Sequence, residues 1–315
     1  MDAISAETLF TSTEQKLLAN LDRLHLAANS STDWWPVSLE LALTDTCNLT
    51  CTFCSVRDRP GLSLSWDDVQ CLLDSHRLQR LRGVVLTGGG EPLMWPHLGR
   101  LLADLERRHI QVGLITNGLK MNRFLTPQDL ARLTWIRISL SGLDFGLEPD
   151  VPKVPDTCTL GFSYVVNSQT TPQVIDRVQT FSRRHNPRYL RLVPDCLSPV
   201  EQLPALTRAI EDLQVAVPQA FVQQKAARGL TPTVPCRISF LKPYVNSDGW
   251  LYRCSGVALQ DRRFPTEYRM CRIQDIDTFF ADVAPFECHF EKCFFTSQNR
   301  LLDQVCTPVQ HAAFL

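Results

Sequence analysis

Along this chain, short apolar runs of strand length alternate with longer stretches whose apolar residues recur at helical spacing. The runs at 37–43, 83–87, 111–116, 135–141, 159–166 and 189–193 are rich in Val, Ile and Leu and predict six strands. Helix-start signals stand between them. Ser65 precedes Trp66-Asp67-Asp68, a cap followed by acidic first-turn residues. Leu98, Leu101, Leu102 and Leu105 share one face of a helix over about 97–109. Thr126-Pro127, Thr171-Pro172 and Ser198-Pro199 each place a capping hydroxyl before proline, and Glu201 adds a capping-box carboxylate to the last. An amphipathic helix is expected over 11–28, capped by Thr11 or Ser12, with Leu17, Leu18, Leu21, Leu24 and Leu26 as its stripe. Strands alternating with helices predict parallel βα units, hence an α/β fold with a partial (β/α)6, TIM-like barrel.

Beyond about residue 232 this rhythm stops and cysteines become dense, at 236, 254, 271, 288, 293 and 306. Val245 to Cys254 reads as a β-hairpin turning at Asp248-Gly249. The expected organisation is an N-terminal helical extension over 1–35, a barrel over 36–230 and a small cysteine-rich domain over 231–315. Trp34 and Trp35 are expected to cover the barrel's edge rather than bind a ligand.

Composition narrows the function classes. The chain has 315 residues, 44% of them hydrophobic, enough for one large domain and a small one. Its net charge of −1 shows no basic excess for tight nucleic-acid binding, although a local patch is not excluded. No apolar run approaches the roughly 18 residues of a membrane span, and the N-terminus shows no secretory signal. Twelve cysteines without such a signal point to a reducing compartment, the cytoplasm, and to metal ligation rather than disulfides.

Cys47, Cys51 and Cys54 follow the first apolar run, so they lie on the loop leaving the C-terminal end of a strand. One short loop can turn three thiolates onto a metal cluster, and three ligands for four irons leave one iron open to a small molecule. A structural zinc knuckle is the plainer alternative, but no further Cys or His follows before Cys71 and His76. Thirty-odd residues on, Gly83-Val-Val-Leu-Thr-Gly-Gly-Gly-Glu-Pro92 runs a buried-strand pattern into a glycine loop. CxxxCxxC after the first strand and GGE(P) after the second, in this order, resemble the radical S-adenosylmethionine (radical SAM) superfamily. The resemblance implies that Cys47, Cys51 and Cys54 hold a [4Fe-4S] cluster whose fourth iron chelates S-adenosylmethionine. It implies that Phe53 packs near the adenine, and that Gly88, Gly89, Gly90 and Glu91 line the methionine end. It further implies reductive cleavage to a 5′-deoxyadenosyl radical that takes a hydrogen atom from a C–H bond, with an electron donor such as a flavodoxin or ferredoxin.

In a barrel the C-terminal strand ends carry the chemistry, which singles out Asn117, Ser139, Ser141, Arg191, Asp195 and Cys196. By the same resemblance Ser139 or Ser141 would reach the ribose and Arg191 the carboxylate of S-adenosylmethionine. The family's Ser-Leu-Asp-Gly reads Ser139-Leu-Ser-Gly142 here, so no carboxylate stands at 141. Asp195 and Cys196 are candidate catalytic residues, as proton acceptor or amine ligand and as hydrogen donor. The alternative is a turn-forming aspartate and a buried thiol.

Cys236, Gly249 and Cys254 fit Cx9-15Gx4C, and so resemble the opening half of the twitch and SPASM domains that follow radical SAM barrels and carry auxiliary [4Fe-4S] clusters. The full SPASM tail is absent, leaving Cys288 and Cys293 with wider spacing. One auxiliary cluster on Cys236, Cys254, Cys288 and Cys293 is the expectation, with Cys271 and Cys306 as possible replacements and zinc as the alternative metal. Cys71 and Cys158 read as small buried hydrophobes. The function expected is a radical SAM enzyme acting on a peptide or small metabolite by oxidation, epimerisation, rearrangement or crosslinking. The alternatives are modification of a nucleic-acid base or nucleoside, and, from another class, a non-catalytic iron–sulfur electron carrier or sensor.

Overall fold

The computed structural model describes residues 10–11, 14–23, 35–58, 60–195, 197–223, 234–259, 266–279, 286–290, 293 and 295–307. Trp34 and Cys196 lie outside the described residues.

Seven strands run parallel and in chain order: β1 (Ser38–Ala42), β2 (Gly83–Thr87), β3 (Gln111–Thr116), β4 (Trp135–Ser139), β5 (Thr159–Val166), β6 (Tyr189–Pro194) and β7 (Ala220–Val222). The seventh corrects the expectation of six. At three residues, β7 is too short to show a periodicity, and it is held by pairing Leu190 with Ala220 and Leu192 with Val222. Each strand separates two environments. Leu39, Leu41, Val84, Leu86, Ile136 and Leu190 are buried in the core. Glu40, Val85, Ile115, Arg137 and Arg191 share the other face and line an interior cavity. On neighbouring β5 and β6, Tyr189 lies against its register partner Gly161, where a Cβ would come within 2.2 Å of its ring.

The helices form where caps and apolar spacing coincide. The Trp66–Asp74 helix starts with a reciprocal box between Ser65 and Asp68, and the Pro127–Ala131 helix with one between Thr126 and Asp129. Leu98, Leu101, Leu102 and Leu105 of the Leu98–Arg107 helix are all buried, each stabilising by about 1.5–3 kcal/mol. The Pro172–His185 helix is capped by Thr171 and ends at Asn186 in the left-handed region.

Three expectations change. The helix expected over 11–28 is described as Glu14–Leu18, a turn at 19–20 and helical residues again at 21–23, while residues 12–13 and 24–34 lie outside the described residues. Of its stripe Leu17 alone is buried among the described leucines, while Leu18 and Leu21 are exposed. The Asn20 side-chain amide donates to the Lys16 carbonyl at 2.6 Å, competing with the backbone where the helix ends. The fourth strand stops at Ser139, because Leu140 and Leu143 are buried three apart in a 3₁₀ turn over Leu140–Phe145. Ser198 caps no helix. Its hydroxyl donates to Asp195 Oδ2 at 3.1 Å, and the long helix begins at Leu203 with no side-chain cap.

The C-terminal hairpin forms as expected, from β8 (Tyr244–Val245) and β9 (Trp250–Tyr252), with Gly249 at φ +78° in its turn. β8 pairs in parallel with β1, Glu40 opposite Tyr244 and Leu41 opposite Val245. A further strand, β10 (Arg269–Arg272), pairs antiparallel with β9. The cysteine-rich segment therefore continues the barrel's own sheet, in the order β10-β9-β8-β1 and on to β7. Among the described residues no helix is long and apolar enough to cross a membrane.

Candidate active site

The loop after β1 and the loop after β2 hold each other. Gly90 N–H donates to the Thr44 carbonyl at 3.1 Å and Glu91 N–H to the Thr46 carbonyl at 2.8 Å. The approach is close enough that a Cβ on Gly90 would stand 2.3 Å from Thr46 O. The glycine at this position is thus demanded by the backbone of the cysteine loop. Glu91 is buried, and its carboxylate accepts from Leu93 N–H, from Thr116 Oγ1 at 2.6 Å and from Asn117 N–H at 2.7 Å. Burial pushes its carboxyl above the usual range, and those three donors oppose the shift. Glu91 so ties the glycine loop to the end of β3. Asn117 extends the tie, its amide donating to Asn48 Oδ1 at 2.6 Å and standing 3.9 Å from Cys47 Sγ.

Cys47, Cys51 and Cys54 line one cavity of about 760 Å³ at the C-terminal ends of the strands. Cys51 is pushed up to about 12, first by burial and then by the neighbouring Cys54 and Cys47 thiols and Asp144. Three thiols crowded together with a carboxylate nearby suit a cationic group shared among them, and an iron–sulfur cluster fits that donor set. Phe53, Gly88, Gly89, Gly90, Glu91 and Asn117 border the same cavity. So do Ser139, Ser141, Arg191 and Asp195, and Ser139 and Ser141 hydrogen-bond to each other at 2.8 Å.

Two candidates have other ties. Arg191 Nη1 donates to Gln223 Oε1 at 2.7 Å, and burial and the Arg137 guanidinium hold its pKa well below the ordinary arginine value. Asp195 faces the cavity, yet its carboxylate also accepts from Leu197 N–H at 2.8 Å and from Ser198 Oγ, closing a turn.

Asp144 was not legible in the sequence. It follows Ser141 by three positions, accepts from Tyr164 Oη at 2.6 Å and Asn167 Nδ2 at 2.9 Å, and is raised above the carboxylate range by burial. The missing carboxylate at 141 pointed to the right turn but not to this position.

The second cysteine group also comes together. Cys254 is raised first by burial and then by Cys236, with Cys293 adding to it, and Cys288 by burial, Cys236 and Cys293. Cys271 is pushed up to about 12 by burial and Asp275, and Cys306 is raised by burial near Asp303, so neither answers to this group. Among the described residues no three of His, Cys, Asp and Glu converge on one point at single-ion distances. Arg253 was missed by sequence reading. Its guanidinium lies 3.8 Å over the Phe286 ring, acts electrostatically on Cys236 and Cys288, and has Nε and Nη1 buried without a partner. A buried cation beside four thiols suits a group that carries negative charge. The segments flanking these cysteines reach the main cavity, where Ser255, Gly256, His289 and Phe290 form part of the wall.

Residues 41–148 match the family model described as the Radical SAM superfamily. Over this stretch the chain carries a radical SAM domain, and enzymes of that class use a [4Fe-4S] cluster and S-adenosylmethionine. Among curated relatives, the GTP 3′,8-cyclase of Paenarthrobacter nicotinovorans is 32% identical over 116 residues, 33% of this chain and 32% of the relative. That of Streptomyces coelicolor is 35% identical over 127 residues, 36% of this chain and 35% of the relative. The match thus spans about a third of the length of these relatives. Streptococcus suis SuiB bound to S-adenosylmethionine superposes with a TM-score of 0.50 at 15% identity, over 89% of this chain and 75% of that one. SuiB bound to its precursor peptide SuiA gives 0.51 at 14%, over 91% and 74%. These structures share the fold.

Proposed function

We propose that this radical SAM enzyme takes a hydrogen atom from a small molecule or a short peptide segment, with one auxiliary [4Fe-4S] cluster on Cys236, Cys254, Cys288 and Cys293. The observation that carries the reading is a single cavity walled on one side by the CxxxCxxC and glycine loops and on the other by residues flanking the second cysteine group. Its volume, about 760 Å³, lies in the range of small-ligand sites. When bound, the cluster with S-adenosylmethionine supplies one-electron cleavage of the sulfonium and removal of a hydrogen atom from a C–H bond. Cys47, Cys51 and Cys54 hold the cluster, and Glu91 fixes the glycine loop against it. Ser139 and Ser141 offer hydroxyls to a ribose, and Phe53 offers its ring to a base. Asp195 and His289 stand on the wall left for substrate, where a carboxylate and an imidazole can hold or move a proton.

Cyclisation of a nucleoside triphosphate, the activity that names the curated relatives, is the second reading. Among the described lining residues only Arg191 and His289 can carry positive charge. That lining suits a ligand of low charge better than a triphosphate, which calls for several guanidinium or ammonium partners.

Anaerobically reconstituted, dithionite-reduced protein tests the reading. Wild type is expected to release 5′-deoxyadenosine from S-adenosylmethionine, and the Cys47/Cys51/Cys54→Ala triple variant none. Release by the triple variant would sink the assignment, and a cyclised product from added GTP would favour the second reading.

A further inference from the structure

We propose that the opposite end of the barrel binds a small divalent anion, phosphate or a dicarboxylate, in a second cavity beneath the first. The cavity is about 450 Å³, and Lys16, Glu40, Arg137, Arg191, Gln223 and Lys242 are among its walls. The charges do not balance. Glu40 meets Lys242 at 2.7 Å and also acts on Arg137 and Arg191, so one carboxylate faces Lys16, Arg137, Arg191 and Lys242 with no other acidic side chain among the described walls.

Both guanidiniums are built into the sheet rather than hanging from the surface. Arg137 projects from the middle of β4 and is 9% exposed, and its Nε is buried with no partner. Arg191 projects from β6, its Nη1 meeting Gln223, and its Nε is likewise buried and unpartnered. Burial lowers the pKa of each, and for Arg191 the nearby Arg137 adds to the effect; Tyr189, which hydrogen-bonds to Arg137, and Glu40 oppose it in both. Arginine does not shed its proton at physiological pH, and Glu40 is one carboxylate among four cations, so part of the cost of two adjacent buried guanidiniums stands until a second anion meets them. Water solvates such groups but does not neutralise them. A phosphate or carboxylate does both, through paired N–H···O bonds of the guanidinium fork.

The N-terminal segment closes the space from below. Phe10 stacks on Tyr189 with ring centroids 4.3 Å apart, Leu17 is buried, and Lys16 stands exposed at the rim. Arg191 borders both cavities, so an anion below competes for it with any acid bound above.

Isothermal titration of the reconstituted full-length protein with inorganic phosphate, and separately with succinate, tests this at ionic strength held constant with chloride. Saturable binding of one of the two is expected, and the arm that binds identifies the chemistry. Arg137→Gln should weaken it about tenfold or more, as loss of a charge-assisted pair does, and Lys16→Gln about threefold through loss of a rim charge. Lys16 is exposed, so Lys16→Gln keeps the test decisive if Arg137→Gln does not fold. No saturable binding of either anion overturns the proposal. So does binding of unchanged affinity in Lys16→Gln, which would place the anion elsewhere.

Discussion

A Cβ on Gly90 would stand 2.3 Å from the Thr46 carbonyl oxygen and 2.8 Å from Asp45 Cα, whereas one on Gly89 would meet nothing nearer than 3.7 Å. The atoms in the way at Gly90 are backbone of the cysteine loop, which cannot swing aside as a side chain can. Gly90→Ala is therefore expected to cost about 1–3 kcal/mol and to lower the iron retained by Cys47, Cys51 and Cys54. Gly89→Ala should stay within about 0.5 kcal/mol of wild type. Urea unfolding midpoints and iron analysis of the two variants compare them, and equal losses in both would refute the argument. The cysteine loop and the glycine loop were legible because each is a local spacing, read within a few residues. Asp144, Gln223 and Arg253 were not, because each reaches its partners through space: Tyr164, Arg191 and the Phe286 ring lie 20, 32 and 33 positions away.

Helices of this barrel are joined to each other by arginine. Arg108 donates to Asp104 Oδ2 at 2.9 Å, to the Leu73 carbonyl at 2.8 Å and to Asp74 Oδ1 at 2.5 Å, so it links the Leu98–Arg107 helix to the end of the Trp66–Asp74 helix. Burial alone would raise the Asp104 carboxyl, but hydrogen bonds from Arg107 and Arg108 carry it below its ordinary value. A carboxyl lowered in the folded state contributes stability that is present above its unfolded pKa and lost as pH falls through the folded one. Asp104→Asn should thus cost about 1–2 kcal/mol near neutral pH, and the gap to wild type should narrow as pH falls below about 4. Chemical denaturation at a series of pH values reads this, and a gap independent of pH would exclude the charged pair as its source. The elements themselves were largely legible. The ranges read for β2, β3 and β5 match those formed, since an apolar run and a turn signal bound each one. The helix read over 11–28 is interrupted at 19–20, where the Asn20 amide competes with the backbone, and β7 was missed because three residues carry no pattern.

At the scale of the molecule, the two cysteine groups belong to one sheet. β8 lies beside β1, and β1 leads into the first cysteine loop while β9 leads into Cys254. No spacing rule could show that pairing, because it joins residues about two hundred positions apart and depends on the chain's return from β7 to the free edge of β1. Its consequence is that both groups face the same cavity, one through the cysteines themselves and one through Ser255, Gly256, His289 and Phe290. On the proposed assignment three ligands would leave an iron open above the barrel, whereas four thiols would leave none open in the second group. A fully ligated cluster behind the wall formed by Ser255, Gly256, His289 and Phe290 would fit electron transfer to or from substrate, and so an oxidative or redox-neutral reaction with the electron recycled. Two cubanes predict roughly eight irons per chain, at four per cluster. The Cys47/Cys51/Cys54→Ala variant should retain roughly four of them, and Cys254→Ala roughly the other four. Cys254→Ala should still form 5′-deoxyadenosine, since the first loop is untouched, while losing turnover of substrate. Mössbauer spectra with sulfide and zinc analysis of the anaerobically reconstituted variants decide the matter. Roughly twelve irons would demand a third cluster, and roughly four with stoichiometric zinc would make the second group a structural zinc site and remove the electron path.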